Sequence, residues 1–217
     1  MESTKERGEA RRGAGPAYRI VTGRLVIRCW EPRDAPLLQR AVDQSLEHLR
    51  PWMPWALREP VPLEDRVQWL RSCRGKFDLG TDFVYGIFSA DEGAVVGGTG
   101  LHTRAGPHAR EIGYWISAGA ARHGYATEAS AALTRVAFLV DRVKRVEIHC
   151  DPRNVASAGV AQKLGFLHEA TLLCRIEGSD GRLHDSMIWT MTQEAFPASV
   201  CAGAAAEAFD AAGVRLL

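Results

Sequence analysis

A single α/β domain of the α+β kind is the fold class that this sequence predicts: one mixed, mostly antiparallel twisted sheet of six to seven strands, flanked by about four helices. The first observation behind it is a run of three β-rich segments joined by short turns in residues 82–117, the pattern of an antiparallel meander. The second is the alternation of helical and β-rich segments from residue 124 onward. The third is the length of 217 residues, which one hydrophobic core can serve.

The first part of the domain has a strand followed by two helices. Residues 25–28 are β-rich, and residues 35–49 carry apolar side chains at helical spacing. A second helix is expected over residues 63–79. Between the two helices, prolines 51 and 54 interrupt the helical pattern, so that segment is predicted to be a loop.

The remaining elements follow in the same way. Strands are expected over residues 83–88, 94–101 and 111–117, with a turn at 91–93 between the first two. A helix from about 124 to 140 comes next. The last elements predicted are a strand over 145–150, a helix over 155–164 and strands over 166–176 and 183–191.

The two ends of the chain are predicted to lie outside this domain. Residues 1–17 are polar and charged, and we expect a disordered leader there. The domain itself is expected to span residues 22–195. Residues 198–217 form an alanine-rich tail, for which the composition suggests at most a short helix outside the main fold.

The charge balance and the cysteine and histidine content indicate which kinds of partner the protein is expected to bind. With 27 basic and 26 acidic side chains, the formal charge is +1, so no overall field attracts nucleic acid or an anionic membrane. Five scattered cysteines show no metal-ligand spacing, and neither do the histidines, so we expect reduced thiols, no metal site and a cytoplasmic protein. No signal peptide or membrane span is apparent. A monomer or a homodimer is expected.

A candidate phosphate site lies where the meander ends and a helix begins. The segment runs from a strand ending near Trp115 through small residues to Gly124-Tyr125-Ala126-Thr127. First-turn N–H groups of a helix have no partner within it and carry the positive end of the helix dipole, so they bind phosphates. The alternative is that Gly124 merely fits a tight turn. A P-loop and a Rossmann fingerprint are both missing from the sequence.

A second constellation covers residues 150–157 and 163–166, Cys-Asp-Pro-Arg-Asn-Val-Ala-Ser and Lys-Leu-Gly-Phe. Alone, it describes a helix capped by Asp151 or Asn154 and ended by Gly165. The two motifs together, in this order and at this separation along the chain, identify a protein family far more specifically than either motif alone.

Together these motifs resemble the GNAT superfamily of acyl-CoA-dependent N-acyltransferases, and within it the RimJ/RimL-like branch of ribosomal-protein N-terminal acetyltransferases. The resemblance covers about residues 22–192. The matching segments are residues 25–28, 52–55, 111–116, 124–129, 151–157 and 163–166.

The resemblance implies acetyl-CoA (coenzyme A) as cofactor, held where the strands at 111–117 and 145–150 splay apart, with its pyrophosphate on the backbone of residues 122–127. The residues that it implies for cofactor binding are Trp115, Ile116, Ser117, Arg122, His123, Gly124, Tyr125, Ala126, Thr127, Asn154, Ser157 and Lys163. One departure is Ala121, where the family has Arg or Gln, so Arg122 or His123 is expected to supply the side-chain donor. Another is Ala161, where many members have a tyrosine that protonates the leaving thiolate.

For catalysis, the RimJ/RimL-like branch points to Ser157 as general acid. Glu111 and Glu177 are the candidate bases. Trp52, Met53 and Trp55 either plug the core under the helices or wall the acceptor cleft, and a mixed role is expected. The implied reaction is direct attack of a primary amine on the thioester in a ternary complex. The expected acceptor is a protein or peptide N-terminus, such as that of a ribosomal protein. The alternatives are a small-molecule amine (an antibiotic, polyamine or amino acid) and a degenerate acyl-CoA sensor or interaction module.

Overall fold

One nine-stranded sheet runs through the computed structural model, which describes residues 16–178 and 180–217. The strands are β1 (Arg19–Val21), β2 (Leu25–Cys29), β3 (Phe83–Ser89), β4 (Val95–His102), β5 (Ala109–Ile116), β6 (Arg145–Cys150), β7 (Leu167–Glu177), β8 (Leu183–Thr192) and β9 (Glu207–Phe209). Their order across the sheet is β7-β8-β6-β5-β4-β3-β2-β1-β9. Neighbours within this described sheet are antiparallel except β5 and β6, which are parallel.

Five helices accompany the sheet in the described ranges: α1 (Ala35–Asp43), α2 (Leu46–Leu49), α3 (Leu63–Asp78), α4 (Tyr125–Leu139) and α5 (Val155–Leu164). The predicted fold class is therefore confirmed, and α5 and β6 have the predicted bounds. Two strands were not predicted, β1 and β9, each only three residues long. Within residues 16–178 and 180–217, none of the helices has the length and apolar character needed to cross a lipid bilayer.

The alanine-rich tail is part of this sheet, so the prediction of a helical tail outside the fold is wrong. Strand β9 pairs with β1 and supplies hydrogen-bond partners for the edge of that strand. Cys201 and Ala208 are fully buried in the core. Small side chains suit this role because they let the returning backbone approach the sheet closely.

The other chain end also differs from expectation. Most of the predicted leader, residues 1–15, lies outside the described residues. Ala17, assigned to the leader, is fully buried, and its carbonyl accepts a hydrogen bond of 2.9 Å from the Tyr85 hydroxyl. The domain therefore reaches beyond the predicted 22–195 at both ends.

The helix expected over residues 35–49 is divided in two. The Ser45 hydroxyl donates to the Ala41 carbonyl at 2.7 Å, and it accepts a hydrogen bond of 3.0 Å from the Ala118 N–H. A serine side chain that bonds to backbone in this way competes with continuous helix. The hydrogen bond between Ser45 and Ala118 therefore links the corner between α1 and α2 to the loop that follows β5.

The sheet has a different core on each face. On one side, α4 and α5 cover Ile27, Ile112 and Val146; we call this the α4 face. On the other side, Leu38 of α1 and Leu70 of α3 pack against Val26; this is the α1 face. Side chains alternate between the two faces along a strand. In β5, the side chains of Ile112, Tyr114 and Ile116 therefore lie on the α4 face. Those of Glu111 and Trp115 lie on the α1 face, as does the position of Gly113.

Candidate active site

Strands β5 and β6 pair over only three positions and then part. The ladder joins Ala109–Glu111 to Arg145–Glu147, and its last pair is Glu111 with Glu147. Beyond that pair, β5 stays bonded to β4 and β6 stays bonded to β8. The facing edges of residues 112–116 and 148–150 therefore present backbone N–H and C=O groups to the gap, and such groups require hydrogen-bond partners. The predicted splay is present.

The helix that begins at the open end of this gap has free donors. Gly124 precedes α4 with φ +82°, a left-handed conformation that favours glycine, and no side chain caps the helix. A Cβ at Gly124 would approach only the guanidinium of Arg24, at 3.6 Å. By contrast, α5 is capped by Asn154. The first-turn N–H groups of α4 are thus available to an anion.

An arginine from a distant part of the chain supports this helix start. Arg24 donates to the His123 carbonyl at 3.0 Å, pairs with Glu128 at 2.7 Å, and lies 4.6 Å above the Tyr125 ring. The basic side chains of the loop itself, Arg122 and His123, do not make the same contacts with the start of α4. Arg122 is exposed with φ +64°, and a ring nitrogen of His123 lies 2.8 Å from the Ala121 carbonyl.

Two hydroxyl groups meet at the gap on the α4 face. Asn154 accepts a hydrogen bond of 3.1 Å from the Ser157 N–H, which fixes the first turn of α5. The Ser157 Oγ lies 2.9 Å from the Tyr114 Oη. Burial raises the pKa of Tyr114 to about 12, although the hydrogen bond with Ser157 acts in the opposite direction. The phenol is therefore protonated near neutral pH and can donate to the serine.

Two buried carboxylates lie at the closed end of the gap on the α1 face. Glu111 is held by Arg104 through bonds of 2.7 and 2.5 Å, and Glu147 by Arg145 at 2.6 Å. Burial alone would raise the pKa of Glu111, but the hydrogen bonds and charge of Arg104 outweigh it and hold that pKa below its ordinary value. Glu111 is thus an ionised carboxylate whose proton affinity is reduced, which weakens its candidacy as a base.

The predicted cleft residues lie along the same face. The rings of Trp55 and Trp115 meet edge to face, with centroids 5.9 Å apart. A cavity of about 220 Å³ is lined by Pro51, Trp52, Arg153 and Asp180. The 51–58 segment therefore faces both the β6–α5 loop and the tip of the β7–β8 hairpin, and Met53 within it is half-buried.

Some predicted site residues are not brought to the gap. Lys163 is exposed in the last turn of α5, at the opposite end of that helix from Ser157. Glu177 is exposed near the tip of the β7–β8 hairpin. The Ser117 N–H is already bonded to the Val96 carbonyl at 2.8 Å. Ile116 points into the α4-face core.

Sequence reasoning missed four residues that shape this site. Tyr114 belongs to a recognised motif, but its pairing with Ser157 depends on the fold. Glu147 and His149 occupy alternate positions of a recognised strand, so only strand register reveals that they adjoin Glu111. Arg24 stands 104 positions before its partner Glu128, and no local pattern links the two.

Comparison with known proteins gives consistent matches. A family model described as an acetyltransferase (GNAT) domain matches residues 24–167. The ribosomal protein uS5-alanine N-acetyltransferase of Escherichia coli (strain K12) is 27% identical over 161 residues, covering 71% of this chain and 80% of that protein. The structure of Mycobacterium smegmatis RimJ in complex with CoA-disulfide is 28% identical, with a TM-score of 0.69 over 88% of this chain and 94% of that one. The microcin C7 self-immunity acetyltransferase MccE, in complex with acetyl-CoA and AMP, shares the fold, with a TM-score of 0.70 at 20% identity over 79% of this chain and 93% of that one.

The glycine at the start of α4 provides a test of the anion site. We expect Gly124→Val to weaken binding of coenzyme A about tenfold or more, because the side chain would cover the first-turn N–H groups. The measurement is isothermal titration with coenzyme A. Gly80→Val is the matched control, since Gly80 also has a positive φ, of +69°, and open space around its Cβ. Equal CoA affinity in the two variants would show that the α4 start is not the binding site.

Proposed function

This chain belongs to the GNAT acetyltransferases, in their RimJ/RimL-like branch, and we propose that the amine it acetylates is the N-terminal α-amine of a protein or peptide. It is an acetyl-CoA-dependent N-acetyltransferase that transfers an acetyl group to an amine. The N-terminal α-amine as acceptor is the proposed part of this function. A relative named ribosomal protein uS5-alanine N-acetyltransferase supports it.

The site fits the cofactor of this family. The uncapped start of α4 offers N–H groups to the pyrophosphate, and the diverging edges of β5 and β6 offer backbone groups to an amide-containing arm. Bound acetyl-CoA supplies the acetyl group as a thioester. The chain's own contribution is to orient that thioester, to receive the amine and to move protons on either side of the gap.

The observation that carries the proposal is the pair of buried carboxylates at the closed end of the gap, Glu111 and Glu147. Each carboxylate is paired with an arginine, and its remaining lone pairs can accept hydrogen bonds from an ammonium acceptor. An α-ammonium group has a pKa near 7.8, so losing its proton near neutral pH costs about 1 kcal/mol, whereas a lysine ammonium costs about 4 to 5 kcal/mol. A modest base is therefore sufficient for an N-terminal acceptor.

The side chains at the gap favour direct attack of the acceptor amine on the thioester, with both substrates bound, over transfer through a cysteine. The only thiol in the last strand before α5 is Cys150, which is buried, and burial raises its pKa. A buried thiol whose pKa is raised is a poor nucleophile, so Cys150 is not suited to form an acyl-cysteine. We assign the proton donated to the departing thiolate to Ser157, whose Oγ adjoins the Tyr114 hydroxyl.

The acceptor is tested by following thiol release from acetyl-CoA with peptides and small amines. We expect peptides with a free N-terminal alanine to be acetylated, and the same peptides with a blocked N-terminus and one internal lysine to be at least 100-fold slower, because of the cost of deprotonating lysine. Mass spectrometry would locate the acetyl group. Faster turnover of a polyamine, amino acid or aminoglycoside would assign a small-molecule acceptor instead. Cofactor binding without turnover of any amine would indicate a sensor.

The general acid has its own test. We expect Ser157→Ala to lower kcat by about 10²- to 10⁴-fold while leaving CoA affinity unchanged, since it removes the proton donor but not the N–H groups of α4. Steady-state kinetics and titration with coenzyme A give the two readouts. The control is Ser199→Ala, which deletes a hydroxyl bonded to the Phe196 carbonyl outside the gap. A Ser157→Ala enzyme within a few-fold of wild type would remove this serine from the mechanism.

A further inference from the structure

One histidine occupies the first α1-face position of β6 after β5 and β6 part. His149 lies two residues beyond Glu147, the last paired residue of β6 on that face. The position across the gap on β5 is Gly113, and the His102 ring lies 3.3 Å from the place where a Cβ of that residue would be. His149 is 29% exposed, so a solute that enters the gap from the α1 face can reach its ring.

Each ring nitrogen of His149 faces a different carboxylate. Nε2 lies 2.7 Å from the Glu147 Oε2, a hydrogen-bond distance. Nδ1 lies 3.8 Å from the Glu111 Oε2, which is too long for a hydrogen bond. In the neutral tautomer with the proton on Nε2, Glu147 accepts that proton's hydrogen bond, and the Nδ1 lone pair remains free beside Glu111.

We propose that His149 is the catalytic proton acceptor for the incoming amine, that Glu147 orients its ring, and that Glu111 attracts the ammonium group to Nδ1. The proposal rests on the proposed function and adds a residue to it. Imidazole is the ordinary protein side chain for accepting a proton near neutral pH, and a carboxylate bonded to its other nitrogen stabilises the imidazolium that forms.

The protons and bonds balance in this assignment. The acceptor ammonium loses one proton to Nδ1, and the imidazolium later releases it to solvent. The amine lone pair then forms the C–N bond with the acetyl carbonyl carbon as the C–S bond breaks. The nitrogen loses its second proton to solvent, and the sulfur leaves with the proton of the Ser157 hydroxyl, which regains one from solvent. The products are the N-acetyl amide, the free thiol of CoA and one proton in solution.

The surrounding charges leave His149 between two compensated carboxylates. Arg104, from the turn after β4, pairs with Glu111, and Arg145 of β6 pairs with Glu147. On the neighbouring strands, Thr190 of β8 donates to Glu169 of β7, and Thr190 is the register partner of Glu147. His102 of β4 is engaged with Asp82 at 3.1 Å. Within the described residues, Nδ1 of His149 makes no hydrogen bond and lies on the Glu111 side of the ring.

The test is the pH dependence of kcat/KM for His149→Gln between pH 6 and 10, with acetyl-CoA and a peptide that has an N-terminal alanine. We expect a loss of about fivefold to tenfold at pH 7 that disappears at pH 9.5, because the neutral α-amine is a minor form in solution at pH 7 and the main form at pH 9.5. CoA affinity should be unchanged. His168→Gln, an exposed histidine on β7, is the matched control.

A second variant separates chemistry from structure. His149→Ala should recover part of its lost rate at pH 7 when imidazole is added to the assay, and the His168→Ala control should not respond. A loss that is the same at every pH and is not restored by imidazole would show a structural role and overturn the proposal. So would full activity of both His149 variants. A wild-type enzyme that acetylates no N-terminal peptide would instead overturn the proposed function itself.

Discussion

The candidate site depends on the short pairing between β5 and β6, which covers only three residue pairs. These strands are the parallel neighbours of the described sheet, and parallel strands need a crossover, which α4 provides. Their three pairs lie at the beginning of both strands, so the gap opens toward the strand ends. The same edge is where α4 begins after β5 and where α5 begins after β6. One topological feature therefore brings free strand edges and two helix starts together, and the site is built on all of them.

The two faces of the gap have different chemistry because side chains alternate along each strand. Tyr114 points to the α4 face and meets the Ser157 hydroxyl. Its neighbours Glu111 and Gly113 point to the α1 face, where Glu147 and His149 adjoin them. The proposed proton donor and the proposed proton acceptor thus lie on opposite sides of one opening. Acyl transfer needs this separation, since the amine loses protons on one side of the carbonyl carbon while sulfur gains one on the other.

Sequence patterns were sufficient where the signal is local. The bounds of α5 and β6 follow from their composition, and Gly124, Asn154 and Ser157 belong to short motifs with fixed spacing. Strands β1 and β9 are too short to show a period, and they exist because each supplies the other with hydrogen-bond partners. Arg24 and the pairing of Glu111 with Glu147 depend on contacts between distant segments and on strand register, which no single-sequence pattern encodes.

The most direct test of the account is hydrogen exchange of individual backbone amides with and without coenzyme A. The account predicts that the cofactor slows exchange at two places that are far apart in sequence: the free edge of β5, residues 112–116, and the first turn of α4, residues 125–127. The capped first turn of α5 should change much less at its bonded Ser157 amide. Tight CoA binding with no slowing in either segment would contradict the claim that the gap and the uncapped helix form one site.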